Sequence, residues 1–298
     1  GLRAPRAAKR ELGVEWARGG AAASLTGFGE RTTRAFGTTR LPIVLPVERY
    51  RVAATPAGRP PEIEGTPFRV DTLISAYDVP RNTRAIDTRG VELALDLPEW
   101  AVVRTALNLN AAWTRTRATD AGLDVEVDRV LGATAPSRLA VYPGGGGVEA
   151  EQLVTSLRLV HRAPAVGLVG SLLVQTVWTQ ADRPLGRDLR LVGYLDRAGR
   201  VVPLTPEQAA SPEYRAIQRA YLPSALLWER RPPLTLVNLR LTKALAGGTQ
   251  FAFYANNALA DRPLYQPRRT LSAGQARAFE QRNPPLFFGV ELVATPFR

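Results

Sequence analysis

A single histidine, His161, and no cysteine leave this sequence few groups able to do covalent or metal chemistry. A zinc site or a Cys-His dyad has no ligands to draw on. A Ser-His-Asp triad would have to recruit His161. That residue falls on the apolar parity of an alternating stretch, where an isolated histidine is far more often structural or interfacial than catalytic. Gly144 to Gly147 form a glycine run after Tyr142 and Pro143. No Lys-Ser/Thr follows it and no strand-to-helix context surrounds it, so it reads as a loop tip and not as a phosphate cradle. The expectation is a protein without catalytic residues, cofactor or metal.

Charge opens another route. The chain carries 39 basic and 27 acidic residues, a formal net charge of +12. An excess of that size raises nucleic acid as a partner. Arginine supplies nearly all of it while lysine is scarce, which reads as a compositional bias, and no nucleic acid is expected. No run of about 18 apolar residues exists to make a transmembrane helix. No signal peptide or Met opens the chain, and Gly1 to Arg10 read like the interior of a longer protein.

The elements that must carry these residues show a period of two. Apolar and polar side chains alternate over stretches long enough for a membrane-crossing strand, about 9–11 residues. The first stretch is Lys9 to Arg18, with Leu12, Val14 and Trp16 on one face. A weaker one covers Ala21 to Phe36, where Leu25 and Phe28 fall on opposite faces. The next are Asn82 to Leu97, Val102 to Arg117, Val148 to Arg162 and Leu168 to Gln180. In the last of these, Leu172, Val174 and Trp178 oppose Ser171, Gln175 and Thr179. Leu234 to Ala244, Thr249 to Leu259 and Leu286 to about Thr295 complete the set.

Between these stretches, short connections alternate with long ones. Those around Gly19, Pro98 to Ala101, Ala163 to Gly167 and Gly247-Gly248 are short. Those over Gly37 to Arg81, Thr119 to Gly147, Ala181 to Arg231 and Ala260 to Asn283 are long. Short periplasmic turns and long extracellular loops are the pattern of an outer-membrane barrel. The fold class expected is all-β: an antiparallel transmembrane β-barrel segment of about nine strands, residues 1–298 forming one C-terminal portion. Within the long loops, Leu189 to Pro203 predicts a hairpin about Ala198-Gly199, and the Thr-Pro-Glu opening of Thr205 to Ala220 predicts a short helix.

Parity assigns faces. Glu92, Asp96, Arg104, Asn108, Asn110, Arg158, Gln175 and Arg240 are expected in the lumen. Trp113 and Trp178 at one end, and Trp16 and Trp100 at the other, are expected to form aromatic girdles at the two membrane interfaces. Arg187, Arg190, Tyr194, Tyr214, Tyr221 and Trp228 lie in long loops and are the candidate ligand contacts, since loops carry function.

Four segments then resemble a known family. Ala8-Lys9-Arg10-Glu11-Leu12-Gly13-Val14-Glu15, Thr88-Arg89-Gly90-Val91-Glu92-Leu93, Phe253-Tyr254-Ala255-Asn256-Asn257-Ala258-Leu259 and Asn283-Pro284-Pro285-Leu286-Phe287-Phe288-Gly289-Val290-Glu291-Leu292 resemble recurring barrel strands of TonB-dependent receptors. The resemblance implies a barrel of about 22 strands in the bacterial outer membrane. It also implies an N-terminal plug that binds substrate and contacts TonB through a short box, neither visible in these residues. Expected partners are outer-membrane lipid, the chain's own plug, TonB, and a small-molecule or oligomeric ligand whose identity the sequence leaves open. The C-terminus departs from the barrel pattern: Phe297 is on the opposite parity to Phe288 and Leu292, and Pro296 and Arg298 flank it. Two other readings stand beside this one. They are a passive porin or adhesin-type barrel, and a soluble basic β-rich protein that binds nucleic acid.

Overall fold

A computed structural model describes the chain except residues 53–57, 59, 61, 127–137, 145, 186–189, 220–225, 268–278 and 295–298. Arg187, Tyr221 and Phe297 lie outside the described residues. The architecture is all-β, built on antiparallel sheets.

The long strands are β1 (Arg6–Arg18), β2 (Ala21–Val52), β3 (Ile63–Trp100), β4 (Thr105–Asp120), β7 (Gly147–Ala163), β8 (Leu168–Leu185), β12 (Leu234–Ala244), β13 (Gln250–Asn256) and β16 (Phe287–Val293). They pair in chain order as β1-β2-β3-β4-β7-β8-β12-β13-β16, and the short β11 (Glu229–Arg231) adds to β8. All nine stretches of alternation therefore become strands of one meander. We call this sheet the wall. Among the described residues β1 pairs only with β2, and β16 only with β13, so the wall is open at both edges.

Its turns follow local chemistry. Gly19 and Gly20 join β1 to β2 with φ of 59° and 81°. Two positive-φ residues form the tight hairpin link whose twist matches the flanking strands, and glycine enters it without a Cβ penalty. The turns from β3 to β4, β7 to β8 and β12 to β13 take four or five residues and leave from the same end. Long connections all leave from the opposite end. Two positions differ from the expectation. β4 begins at Thr105, so Arg104 sits in the preceding turn with φ of +50° and not on the polar row of a strand. In β8 the pairing shifts between Leu153–Thr179 and Val154–Val177, leaving Trp178 as a bulge residue. An extra residue in one strand reverses parity beyond it, so Thr179 shares the face of Leu153 instead of opposing it.

Of the segment Gly37 to Arg81, expected as a loop, residues 37–52 and 63–81 are instead strand. β2 and β3 keep pairing beyond the wall, from Gly37–Arg81 out to Val52–Ile63, and form a two-stranded arm. Bulges between Thr32 and Gly37 mark where the arm leaves the wall, consistent with the bend a bulge imposes. A second sheet packs on the arm, in the order β10 (Val201–Pro203), β9 (Gly193–Leu195), β6 (Leu139–Pro143), β5 (Leu123–Val125). One of its faces buries Val125, Leu139, Val141 and Leu195 against Ile74 of the arm. The other buries Ala140, Tyr142 and Leu191 against Ala209 of α1 (Pro206–Ala209). We call this layered unit the cap. The hairpin about Ala198-Gly199 forms as β9 and β10, and Gly199 has φ of 76°. The short helix forms too, held by a capping box in which Thr205 and Gln208 each bond the other's backbone N–H. A further small hairpin, β14 (Leu264–Tyr265) with β15 (Glu280–Gln281), lies in the last long connection.

Candidate functional site

Directly paired residues in an antiparallel ladder point to the same face, so the register sorts every wall side chain. One face carries the row Asp96–Asn108–Arg158 across β3, β4 and β7. The next row carries Ser24–Ala94–Asn110–Ser156–Gln175, and the one beyond it Thr26–Glu92–Ala112–Val154–Val177. Arg240 lies on this face of β12, paired with Ser171, and its Nη2 is 2.7 Å from Glu291 of β16. Asn108 donates to the Asp96 carboxylate. Seven of the eight residues expected on the polar face are thus on one face together. Arg104 is the exception, 3.6 Å from Glu99 within its turn.

This face is concave. Ser24 and Thr26 on β2 line the same groove as Gln175 and Val177 on β8, four strands away, together with Glu92, Asn110 and Ser156. A flat sheet could not enclose them. The groove holds about 470 Å³. Its hydroxyls, amides and one carboxylate can donate and accept hydrogen bonds. Aromatic side chains on this face lie over glycines: a Cβ on Gly90 would stand 2.7 Å from the Phe28 ring and 2.6 Å from the Trp113 carbonyl oxygen, and one on Gly289 2.6 Å from the Tyr254 hydroxyl. At Gly90 one of the close atoms is backbone, so glycine is required there, whereas at Gly289 the end of the Tyr254 side chain would have to shift.

The opposite face is apolar in the middle and charged beyond one end. Leu97–Leu107–Leu159–Leu172–Leu239–Ala255–Phe288 form one continuous row, and Leu95–Leu109–Leu157–Val174–Val237 the next. The row after these, Leu25–Leu93–Ala111–Thr155–Thr176–Thr235, turns to threonine on β7, β8 and β12, and the last apolar level toward the long loops is Val91–Trp113–Leu153–Thr179. Arg89–Arg115–Glu151 and Asp87–Arg117–Glu149–Arg183 follow immediately. From Thr105 to Trp113 the band measures about 27 Å along the strand at a rise of about 3.4 Å per residue. Many of its side chains are bare: Leu12, Val14, Leu25, Val91, Phe288 and Val290 are all exposed.

The four girdle candidates occupy this face or its border. Trp113 Nε1 donates to Glu151 at 3.0 Å, and Trp178 Nε1 to Thr155 at 2.9 Å. Trp113 and Trp178 stand at one level, beside Leu153. Trp100 closes β3 next to its turn. Trp16 pairs with Ala23, which pairs with Leu95, a level four residues short of Val91 along β3. His161 is on the same face, its Nδ1 3.0 Å from the Thr105 hydroxyl.

The loop candidates divide between cap and wall. Tyr194 and Tyr214 stack with centroids 5.7 Å apart, and the Arg138 guanidinium lies 4.8 and 5.4 Å from their ring centres. Arg138 Nη1 reaches Glu213 at 2.6 Å, a bond that holds its pKa above the ordinary value. Arg190 is exposed just before the buried Leu191. Trp228 is remote from the tyrosines. It faces Arg115 and Arg183, 5.6 and 5.0 Å from its ring centre, and both arginines bind the buried Glu149.

One enclosed charged cluster is not among the residues expected from the sequence. The side chain of Arg219, 4% exposed, reaches Asp124 at 2.7 Å and Glu126 at 2.5 Å and lies over the Tyr142 ring at 4.2 Å. Burial by itself lowers its pKa, but bonds to Glu126 and Asp124 outweigh that and leave it raised. The i, i+2 spacing of Asp124 and Glu126 was the available sign, since it puts both carboxylates on one side of an extended chain. No family profile, curated protein or solved structure matches this chain.

Proposed function

We propose that this chain is part of the wall of a bacterial outer-membrane β-barrel, and that the barrel belongs to a TonB-dependent receptor that takes up a scarce ligand. The observation that carries the membrane reading is the bare apolar band, which continues in register across the sheet and gives way to arginine and carboxylate rows at a tryptophan level. Strands inclined at about 35–45° would give a band of about 27 Å along the strand a height of roughly 20 Å, close to the apolar belt of such barrels. Water disfavours an apolar surface this continuous, whereas hydrocarbon solvates it. The concave face has the polar character of a lumen, and the cap sits where extracellular loops would be. The open edges at β1 and β16 would be closed by further strands, because unpaired edges invite aggregation.

In this reading the wall is scaffold. Ligand meets the cap, with Tyr194, Tyr214 and Arg190 as its contacts, and passes along the lumenal face bearing Glu92, Asn110 and Gln175. The TonB assignment rests on the four resembling segments, two of which hold the glycines that lie under Phe28 and Tyr254.

Membrane fractionation of the native host, followed by quenching of single-tryptophan variants with brominated lipids, tests the first part. The protein is expected in the outer membrane, with Trp113 and Trp178 quenched by bromines near the headgroups. Recovery in the soluble fraction overturns the reading. Growth on limiting nutrients tests the second: loss of this gene and loss of TonB should abolish use of the same nutrient. Uptake that persists without TonB points to a passive barrel.

A further inference from the structure

The charged rows bordering the apolar band contain more arginine than their carboxylates can neutralise. Arg115 and Arg183 share Glu149, Arg31 faces Asp87 at 3.6 Å, and Glu151 accepts from Trp113. Arg10, Arg89, Arg117 and Arg230 remain, all exposed and without an ion pair among the described residues. The register places them on one face and in two adjacent rows. Arg10 and Arg89 both pair with Gly29, Arg89 with Arg115, Arg117 with Glu149, and Arg230 with Ala181, which pairs with Glu151. Arg89 and Arg115 are therefore like charges set directly opposite each other, an arrangement that destabilises a sheet unless an anion intervenes.

We propose that Arg10, Arg89, Arg117 and Arg230 form a collar that binds the phosphate groups of anionic lipid headgroups in the leaflet next to the long loops. The inference rests on the membrane reading above, because that reading puts these rows at headgroup depth. Three features select a lipid phosphate. The guanidinium fork matches phosphate oxygens with two parallel bonds. The arginines begin one row past the Val91–Trp113–Leu153 level, where acyl chains would end. Neighbours across two strands are about 10 Å apart, which suits a lipid bearing more than one phosphate. A free phosphate would satisfy the charges but gain nothing from the adjoining apolar band.

The test uses the full-length protein in phosphatidylcholine nanodiscs doped with diphosphoryl lipid A or with the same lipid stripped of its phosphates. The wild type is expected to retain the phosphorylated lipid selectively, and added salt to weaken retention. Arg89→Gln with Arg117→Gln should cut retention roughly tenfold or more, at about 1 kcal/mol per arginine near a charged surface. Arg89→Lys with Arg117→Lys should recover much of it, which guards against a variant that merely misfolds. Arg197→Gln with Arg215→Gln, on the cap, removes the same charge and should leave retention intact. Equal retention of phosphorylated and dephosphorylated lipid overturns the collar while leaving the membrane reading standing, as does equal loss in the cap variant. Displacement by millimolar inorganic phosphate alone overturns the lipid source. Failure to insert into any nanodisc sinks the membrane reading itself.

Discussion

The cap and the wall use the same strand alternation and bury opposite things. In the cap, Ile74, Val125, Leu139, Ala140, Val141, Tyr142, Leu191, Leu195 and Ala209 are buried, and β6 is enclosed on both faces. In the wall, the only buried hydrophobics among the described residues are Ala35, Ala181, Ala252 and Ala255. Every large apolar side chain there is partly or fully bare. A core made this way cannot hold a sheet together in water. The cap follows the rule for water, with apolar residues inside. The wall keeps its ladder of backbone bonds and turns its apolar residues outward. Alternation therefore specifies a strand, and what solvates each face decides which face is buried.

The comparison breaks first at the cap core. Leu195 is fully buried between β9 and the arm. Leu195→Ala should cost about 2–5 kcal/mol, the usual range for a cavity in a packed core. Hydrogen exchange should quicken at residues 139–143 and 193–195 and stay unchanged at residues 153–160. Equal quickening in both regions would show that cap and wall are one cooperative unit.

The wall should respond to charge by face. Leu157 lies mid-band, between Leu109 and Val174, while Ser156 beside it faces the groove. Leu157→Arg is expected to cost about 2–4 kcal/mol of folding in a bilayer, and Ser156→Arg to leave it nearly unchanged. Heat-modified gel mobility of the vesicle-folded protein reads both. Similar losses for the two variants would mean that both faces meet the same solvent.

How the two regions could be read from sequence follows from their physics. The wall was legible because its rows repeat over many residues, and because the glycine turns that join them demand positive φ. Its exceptions, Arg104 and Thr179, fall at a turn and past a bulge, where one residue changes the parity. The arm is hidden in the sequence because Pro42 and Pro46 interrupt Gly37 to Val52. Proline is tolerated at a strand edge, where no ladder bond needs its N–H, and in the arm β2 pairs with β3 alone. The cap strands are three to five residues long, too short for a period to declare itself. The candidate site divides the same way. The polar-face residues follow from parity, whereas Arg138 stacked on Tyr194 and Tyr214, and Arg219 on Tyr142, depend on chain folding over long separations.

A smaller effect tests whether the wall is as tightly packed as the cap where packing does occur. Gly90→Ala would press a methyl group on the Phe28 ring and the Trp113 carbonyl oxygen. The ring can turn aside, but the carbonyl belongs to the ladder and cannot. Overpacking of this kind costs about 1–3 kcal/mol, and urea unfolding in vesicles measures it. Phe28→Ala in the same chain should relieve only part of the loss. Full recovery would assign the whole requirement to the ring.

The least costly probe lies outside both regions, at Tyr265 on β14. Burial first, and then its bond to the Glu229 carboxylate, push the Tyr265 phenol up to about 12 from an ordinary 10. Its folded value is the higher one, so the neutral phenol stabilises the fold. That contribution is complete below pH about 10 and is lost as pH rises toward 12. Exchange at Leu264 and Tyr265 would be fast in that range whatever the phenol did, so phenolate absorbance is the better readout. Wild type should show one tyrosine titrating late relative to Tyr265→Phe, and β14–β15 should become protease-sensitive in the same window. The bond ties β14 to β11 at the border of the wall, and the cap has no part in it, so the unfolding midpoint of the cap should not follow the Tyr265 titration. A midpoint of the cap that tracks the Tyr265 titration would tie the last long connection to the cap and merge the two regions that the structure keeps apart.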